Sequence, residues 1–231
     1  MKTLSIISHF YNHHDRVDEQ IAHWDCLPGE IKQRIEIILI DDYSDVEYEL
    51  PKSDLDIKLF RVTDDIPWNQ AGARNLGVFN ASAEIILIID IDQLVYTDFI
   101  ATLVEQSALV EPKTLNYFRI KSLINIQNNK PLDHHPNSFF ARLSDFKNLG
   151  MYDEDFAGHY GYEDIYLRKV WEVNGGRLAF VDRVVSEDKE FGTTNLDRNI
   201  ERNYNLIVQK LSIPNFRNSS SILRFNWKRK W

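Results

Sequence analysis

Short runs of almost wholly apolar residues, each stopped by a polar or acidic cluster, recur through the first half of this chain. Residues 4–8 run into His9, Phe10, Tyr11 and Asn12, and residues 34–40 (RIEIILI) run into Asp41, Asp42, Tyr43 and Ser44. Residues 84–89 (EIILII) run into Asp90, Ile91 and Asp92, and residues 57–62 add a fourth run. Runs this short and this apolar suit strands buried on both faces, the habit of parallel sheets covered by helices. Between them, residues 15–27, ended by Pro28-Gly29, and residues 69–80 show helical patterning. In the second helix Leu76 and Phe79 fall on one face, and a further helix is expected over 98–109. The alternation predicts an α/β fold with a mostly parallel central sheet flanked by helices.

The second half is less regular. Strands are expected over 116–122, 138–143 and 177–181, with the polar stretch 125–137 (NIQNNKPLDHHPN) as a loop. Ser144 is placed to cap a short helix ending at Gly150. Residues 162–173 read as a helix with Leu167, Val170 and Trp171 on one face, closed by Gly175-Gly176. A last helix is expected from Thr194, with Asp197 completing a capping box and Leu196, Ile200, Tyr204, Ile207 and Leu211 at helical spacing. No internal repeat or linker interrupts the chain. Residues 1–212 are therefore expected to form a single domain, and residues 213–231 a basic, aromatic tail.

Charge separates the two parts. The net charge is −8, yet after Glu201 there are no acids and seven basic residues: Arg202, Lys210, Arg217, Arg224, Lys228, Arg229 and Lys230. The preceding residues carry 20 basic against 35 acidic side chains. An acidic body suits divalent cations and argues against nucleic acid as a partner. The tail, with Phe225, Trp227 and Trp231, is suited to peripheral contact with an anionic membrane. The single cysteine, Cys26, cannot form an internal disulfide and reads as a buried thiol. It points to a reducing, cytoplasmic location. No apolar stretch approaches the ~20 residues of a membrane span.

The chemistry is expected where the strands end. In open α/β sheets ligands bind at the carboxyl ends of the strands, so the clusters at Ser8–Asn12, Asp41–Ser44 and Asp90–Asp92 should meet in space. Asp90 and Asp92, two apart in extended chain, can face one site, where a hard divalent cation would relieve their repulsion. Glu163 and Asp164 open a helix, where acids are favoured by its dipole; a functional reading makes them a general base and its neighbour. The preceding aromatic, glycine-containing stretch MYDEDFAGHYGY is suited to wrapping a sugar ring. The histidine pairs His13-His14 and His134-His135 are weak candidates for metal ligands, because adjacent residues seldom share a ligand geometry.

These stretches resemble glycosyltransferase family 2, of GT-A type. The segments SIISHFYN, IILIDDYSD, NQAGARNLG, IILIIDIDQ and SFFARLSDFKNLGMYDEDFAGHYGYEDIYLRKVWEVNGG carry the resemblance and span most of residues 4–176. More narrowly, the last segment is similar to the G-[WY]-G-x-E-D region of galactosyl- and N-acetylhexosaminyltransferases. The resemblance implies a sheet with a smaller acceptor-side part. It implies inverting transfer from a nucleotide-sugar donor, UDP-linked in the related enzymes, to a saccharide or glycoconjugate acceptor, as in polysaccharide synthesis. Asp42 would accept a hydrogen bond from uracil, His9 would border the base, and Asn69 and Arg74 would lie beside the nucleotide. Asp90 would contact ribose or sugar and share with Asp92 the binding of Mn2+ or Mg2+. Asp164 would be the catalytic base, with Glu163 holding a sugar. Many relatives complete the metal site with a histidine near the position of Ser186, so Glu187, Asp188 or His159 would have to substitute, or the metal is held more weakly. Two alternatives remain open: a nucleotide-sugar-binding module without catalysis, and a D-x-D phosphatase with Asp90 as nucleophile.

Overall fold

The computed structural model describes residues 2–121, 134–188, 196–219 and 222–231. The first half contains β1 (Leu4–Phe10), α1 (His14–Asp25), α2 (Gly29–Arg34), β2 (Ile35–Asp41), β3 (Ile57–Val62) and α3 (Gln70–Asn80). It continues through β4 (Ile85–Ile88), β5 (Gln93–Val95) and α4 (Thr97–Glu105). The second half contains β6 (Thr114–Lys121), β7 (His134–Arg142), α5 (Leu143–Leu149), α6 (Glu163–Val173), β8 (Arg177–Asp188), α7 (Glu201–Leu211) and β9 (Trp227–Arg229). The nine described strands form one sheet in the order β5-β8-β6-β7-β4-β1-β2-β3-β9.

The centre of the sheet, β4-β1-β2-β3, is parallel throughout, and β6 and β8 form a second parallel pair. Strand β7 runs antiparallel between the two groups. All seven residues of β2 are buried, as an apolar run of this kind requires. Alternate residues feed opposite faces. Ile6, Ile37, Leu39, Ile85 and Leu87 join a core with Val17, Ile21 and Trp24 of α1 and with α4. Ile7, Ile38, Ile40, Ile86 and Ile88 join a core with α3, Phe146 of α5 and Trp171 of α6. Helix α3 lies so close to the sheet that a Cβ on Gly77 would stand 2.3 Å from Ile7 Cγ2. Only glycine permits that approach.

Several local expectations change once partners are in place. Pro28 and Gly29 do not merely end α1; Pro28 is the N-cap of α2. Phe79 is 52% exposed, whereas Leu76, three residues before it, is fully buried. Ser144 lies inside α5, whose N-cap is Arg142. His134–Asn137, expected in a loop, are strand residues, because β6 offers ladder partners as far as Arg119 opposite His134. Strand β8 likewise outruns its expected end at Val181, since it pairs with β6 on one side and β5 on the other. The last helix starts at Glu201, not Thr194; Thr194 itself, like Ser122 and residues 125–133, is outside the described residues. Cys26 is exposed, not buried.

Residues 227–229, within the expected tail, form the edge strand β9 against β3. Trp227 packs on Phe60 at 5.7 Å between ring centroids, and Lys228 and Lys230 both pair with Glu47. Among the described residues no helix is long and apolar enough to cross a membrane.

Candidate active site

Parallel register sets Phe10 beside Asp41 and Ile7 beside Ile88. The carboxyl ends of β1, β2 and β4 therefore open onto one edge, and a cavity of about 500 Å³ lies there. His9, Asp42, Asp90, Asp92, Glu163 and Asp164 all line it. Asn69 and Arg74 do not; both are 1% exposed and stand behind the wall. They were expected beside the nucleotide. The geometry makes them braces for the residues that do face the cavity.

Helix α3 supplies both braces. Asn69 Nδ2 donates to Asp42 Oδ1 at 3.0 Å. Arg74 Nη2 donates to Asp90 Oδ1 at 2.7 Å, and its Nη1 reaches Glu163 Oε1 at 3.5 Å. One buried cation thus joins the end of β4 to the start of α6, with its guanidinium 5.3 Å from the centre of the Tyr152 ring. Burial opposes ionisation of Asp90, but Arg74, helped by His135 and His9, outweighs it and holds the carboxyl well below its usual range. Glu163 moves the other way: burial raises it, with Arg74 offsetting only part. The two carboxyls share a cation yet differ in character, as sites with divided roles require.

Asp42 and His9 are set by burial. Burial, with Asp41 adding to it, pushes the Asp42 carboxyl up to about 7 against the bond from Asn69. Burial and then Arg74 push His9 down to about 4, so its ring is neutral at pH 7. His9 Nδ1 is buried with no hydrogen-bond partner among the described residues. A buried polar atom at a cavity wall is placed to meet a ligand.

The turn between β4 and β5 is pinned from below. Gln20 of α1, 2% exposed, donates its amide to Gln93 O at 2.7 Å and Ile91 O at 3.2 Å, the carbonyls on either side of Asp92. Nothing in the helical pattern of α1 distinguishes Gln20 from a solvated residue. The loop before α6 is pinned similarly. Gly161 and Tyr162 take successive left-handed conformations (φ 85° and 73°), turning the chain into the helix so that Glu163 and Asp164 face the cavity. The fully buried Asn203 of α7 has its amide within 3.0 Å of the carbonyls of Phe156, His159 and Gly161. Asp164 Oδ2 accepts from Arg168 Nη2 at 3.0 Å, one turn on, and Arg168 lies 5.1 Å from the centre of the Tyr117 ring.

His135 is a site residue that the loop reading hid. At the inner end of β7 it lines the cavity with Nε2 3.8 Å from Asp90 Oδ2. Its Nδ1 accepts from the Asn137 backbone N–H at 3.3 Å, which leaves Nε2 as the donor nitrogen toward Asp90.

The two described substitutes for a third metal ligand do not reach the cavity. Ser186 is fully buried behind the turn, 3.5 Å from Gln93 Oε1. Neither Glu187 nor His159 lines the cavity, and His159 is exposed. The side chain of Asp188 lies outside the described residues. Among the described residues no group of three or more His, Cys, Asp or Glu side chains is arranged to hold a metal ion. Asp90 Oδ1 is committed to Arg74, and Asp92, which also lines the cavity, carries a carboxylate of the kind a hard cation takes. One carboxylate fits Mg2+ or Mn2+ when phosphate oxygens and water complete the shell, as is usual for these ions.

A model of glycosyl transferase family 2 matches residues 5–172. No curated protein sequence matches the chain. Solved structures do. The S. aureus TarS fragment 1–349 in complex with UDP-GlcNAc has a TM-score of 0.64 and 16% identity, over 90% of this chain and 64% of that one. A longer S. aureus TarS structure gives 0.60 and 14%, over 82% of this chain and 37% of that one. The mannosyltransferase PcManGT from Pyrobaculum calidifontis, in complex with GDP-Man and Mn2+, gives 0.57 and 17%, over 83% and 58%. The chain spans less than two thirds of each of these structures. At such identities the likeness is one of fold, that of GT-A glycosyltransferases.

Proposed function

The chain belongs to glycosyl transferase family 2, and from that premise we propose that it moves a sugar from a UDP-sugar to an acceptor hydroxyl with inversion. The observation that supports this most is the convergence of Asp42, Asp90, Asp92 and Asp164 on one cavity from three separate parts of the chain. Ionised Asp42 accepts the imide N–H of uracil, and His9 Nδ1 borders the base. Asp90, with Oδ1 held by Arg74, presents Oδ2 and the neighbouring His135 Nε2 to hydroxyls of the ribose or the transferred sugar. Asp92 would hold Mn2+ or Mg2+, which when bound would neutralise charge on the departing diphosphate. Asp164 takes the acceptor proton as the new bond forms on the opposite side of the anomeric carbon. Asp164 is preferred to Glu163 as base because Glu163 is buried and tied to Arg74.

A phosphatase reading would need Asp90 as nucleophile. Its ion pair with a buried guanidinium at 2.7 Å, and the family of the chain, both speak against it. A donor-binding module without catalysis is distinguished by turnover.

Thermal unfolding with nucleotide-sugars provides the test. At a UDP-sugar concentration ~100 times Kd, with Mn2+, binding contributes about 2.7 kcal/mol, which for a chain of this size raises Tm by roughly 5–10 °C. EDTA should remove the shift together with slow donor hydrolysis, and Mn2+ should restore both. Binding without hydrolysis or transfer would favour the non-catalytic module. A shift with GDP-sugars alone would refute the role of Asp42, and activity unchanged in EDTA would refute that of Asp92.

The raised Asp42 carboxyl gives a pH signature. With a folded value near 7, the ionised acceptor form dominates only above pH 7. Affinity for UDP-GlcNAc, which does not itself titrate there, should weaken roughly tenfold from pH 8 to pH 6, in proportion to the ionised fraction. Asp42→Asn should remove the dependence. The stability linkage has the opposite sense: the folded state holds a proton that the unfolded state releases, so this group's contribution to apo stability falls as pH rises from about 4 to 7. A pH-independent Kd in the wild type would separate Asp42 from the base.

A further inference from the structure

We propose, resting on the transferase reading above, that Arg168 is the positioning residue of the base: it aims the Asp164 carboxylate at the acceptor hydroxyl and acts on transfer only through that carboxylate. Asp164 lines the cavity and Arg168 does not, so of the pair only the carboxylate is placed to meet a ligand. Arg168 Nη2 donates to Asp164 Oδ2 at 3.0 Å. Among the described residues Asp164 is the one ion-pair partner of Arg168.

Opposite charges one turn apart on a helix are common, and exposed pairs contribute little because both side chains stay mobile. This pair is held. The Asp164 and Arg168 side chains are only 16% and 29% exposed. The guanidinium lies 5.1 Å from the centre of the Tyr117 ring in β6, and that residue is 1% exposed. Tyr117 in turn packs on Phe139 and Phe180, with ring centroids 5.4 and 5.9 Å away. Arg168 Nη2 also stands 3.5 Å from Pro136 O in β7. Contacts with two strands therefore restrain the cation, and the carboxylate it holds shares their rigidity. Burial raises the Tyr117 hydroxyl above its usual range, with Arg168 offsetting only part. The ring stays neutral and does not compete with Asp164 for the charge.

The adjacent acids are thus held by different arginines: Glu163 by Arg74 of α3, and Asp164 by Arg168 of its own helix. A base depends on such aim. A free carboxylate turns about two bonds, and a displacement of about 1 Å at a reacting group can cost on the order of 10²-fold in rate. With Oδ2 engaged by Arg168, Oδ1 takes the acceptor proton. The acceptor oxygen then bonds to the anomeric carbon, and the nucleoside diphosphate leaves with the electron pair of the broken bond. The guanidinium donates throughout and gives up no proton.

A double-mutant cycle on the full chain tests this, with UDP-GlcNAc and Mn2+ and with p-nitrophenyl glucoside, galactoside and N-acetylglucosaminide as acceptors. Calorimetry of UDP-GlcNAc binding runs alongside. Arg168→Met should lower kcat for transfer about tenfold or more and leave the UDP-GlcNAc Kd within about twofold. Arg168→Lys, which keeps the charge but not the planar group on the ring, should recover part of the loss. In an Asp164→Asn background Arg168→Met should cost less than about twofold more, because the base it serves is already gone. Losses that multiply would show that Arg168 acts on another group. A kcat for Arg168→Met within about twofold of wild type would reduce the pair to an ordinary helix contact. A UDP-GlcNAc Kd that rises as kcat falls would assign the guanidinium to the donor. Each of these overturns the proposal. If Arg168→Met does not fold, Arg168→Lys takes its place in the cycle and the same outcomes decide. A wild type that binds no UDP-GlcNAc, or transfers to none of the acceptors, would instead bring down the transferase reading and this proposal with it.

Discussion

Asp164→Asn is expected to slow sugar transfer by ~10²-fold or more while the Kd for a UDP-sugar stays within about twofold. The amide is nearly the same size and can still accept from Arg168, so the start of α6 should keep its geometry. What it cannot do is take a proton. The loss should therefore appear in kcat with little change in Tm. Donor hydrolysis, which needs no acceptor hydroxyl, should fall less than transfer. Steady-state kinetics with both assays decides the matter. A variant within about threefold of wild type in transfer would show that another group takes the proton. Glu163→Gln serves as the contrast. It removes a charge next to Arg74, so it should disturb both Tm and donor affinity.

Arg74→Met should destabilise the fold by about 3–5 kcal/mol, the usual cost of stranding a buried charge. Methionine fills much of the space but leaves Asp90 and Glu163 without the cation that lies 2.7 and 3.5 Å away. The Asp90 carboxyl, now held low by that guanidinium, should lose its main counterweight to burial and titrate higher. The stability deficit should therefore shrink as the pH is lowered and the stranded carboxyls take up protons. Adding Asp90→Asn and Glu163→Gln to Arg74→Met should recover part of the stability, because the variant then buries no unpaired charge. Denaturant unfolding of the single and triple variants measures this. A single variant within about 1 kcal/mol of wild type would mean that water, rather than Arg74, compensates these carboxyls.

The two results bear on different layers of one site. Asp164 faces the cavity and its effect is chemical; Arg74 stands behind the wall and its effect is architectural. The residue types alone do not separate them, since both were expected at the site from their places in the chain. Burial does: Arg74 is 1% exposed and closed off from the cavity, whereas Asp164 lines it.

Apolar runs too short for helices, each ending in acids, were enough to read β1 to β4 as buried parallel strands and to place Asp42, Asp90 and Asp92 at one edge, because strand periodicity and chain direction are local properties. The start of α6 and its acidic pair were legible for the same reason. What depended on partners was not. His134–Asn137 look like loop but extend a strand because β6 supplies the ladder, which carries His135 to Asp90. Gln20, Asn203 and Trp68 have no periodic or compositional signal, yet they brace the turns and the rim through bonds that span from 42 to 129 residues of chain. Those contacts exist only after the sheet and helices have brought distant segments together. Sequence pattern determined which chemistry collects at the carboxyl edge; tertiary packing decided which of those groups meet a ligand, because burial and pairing are properties of the folded chain.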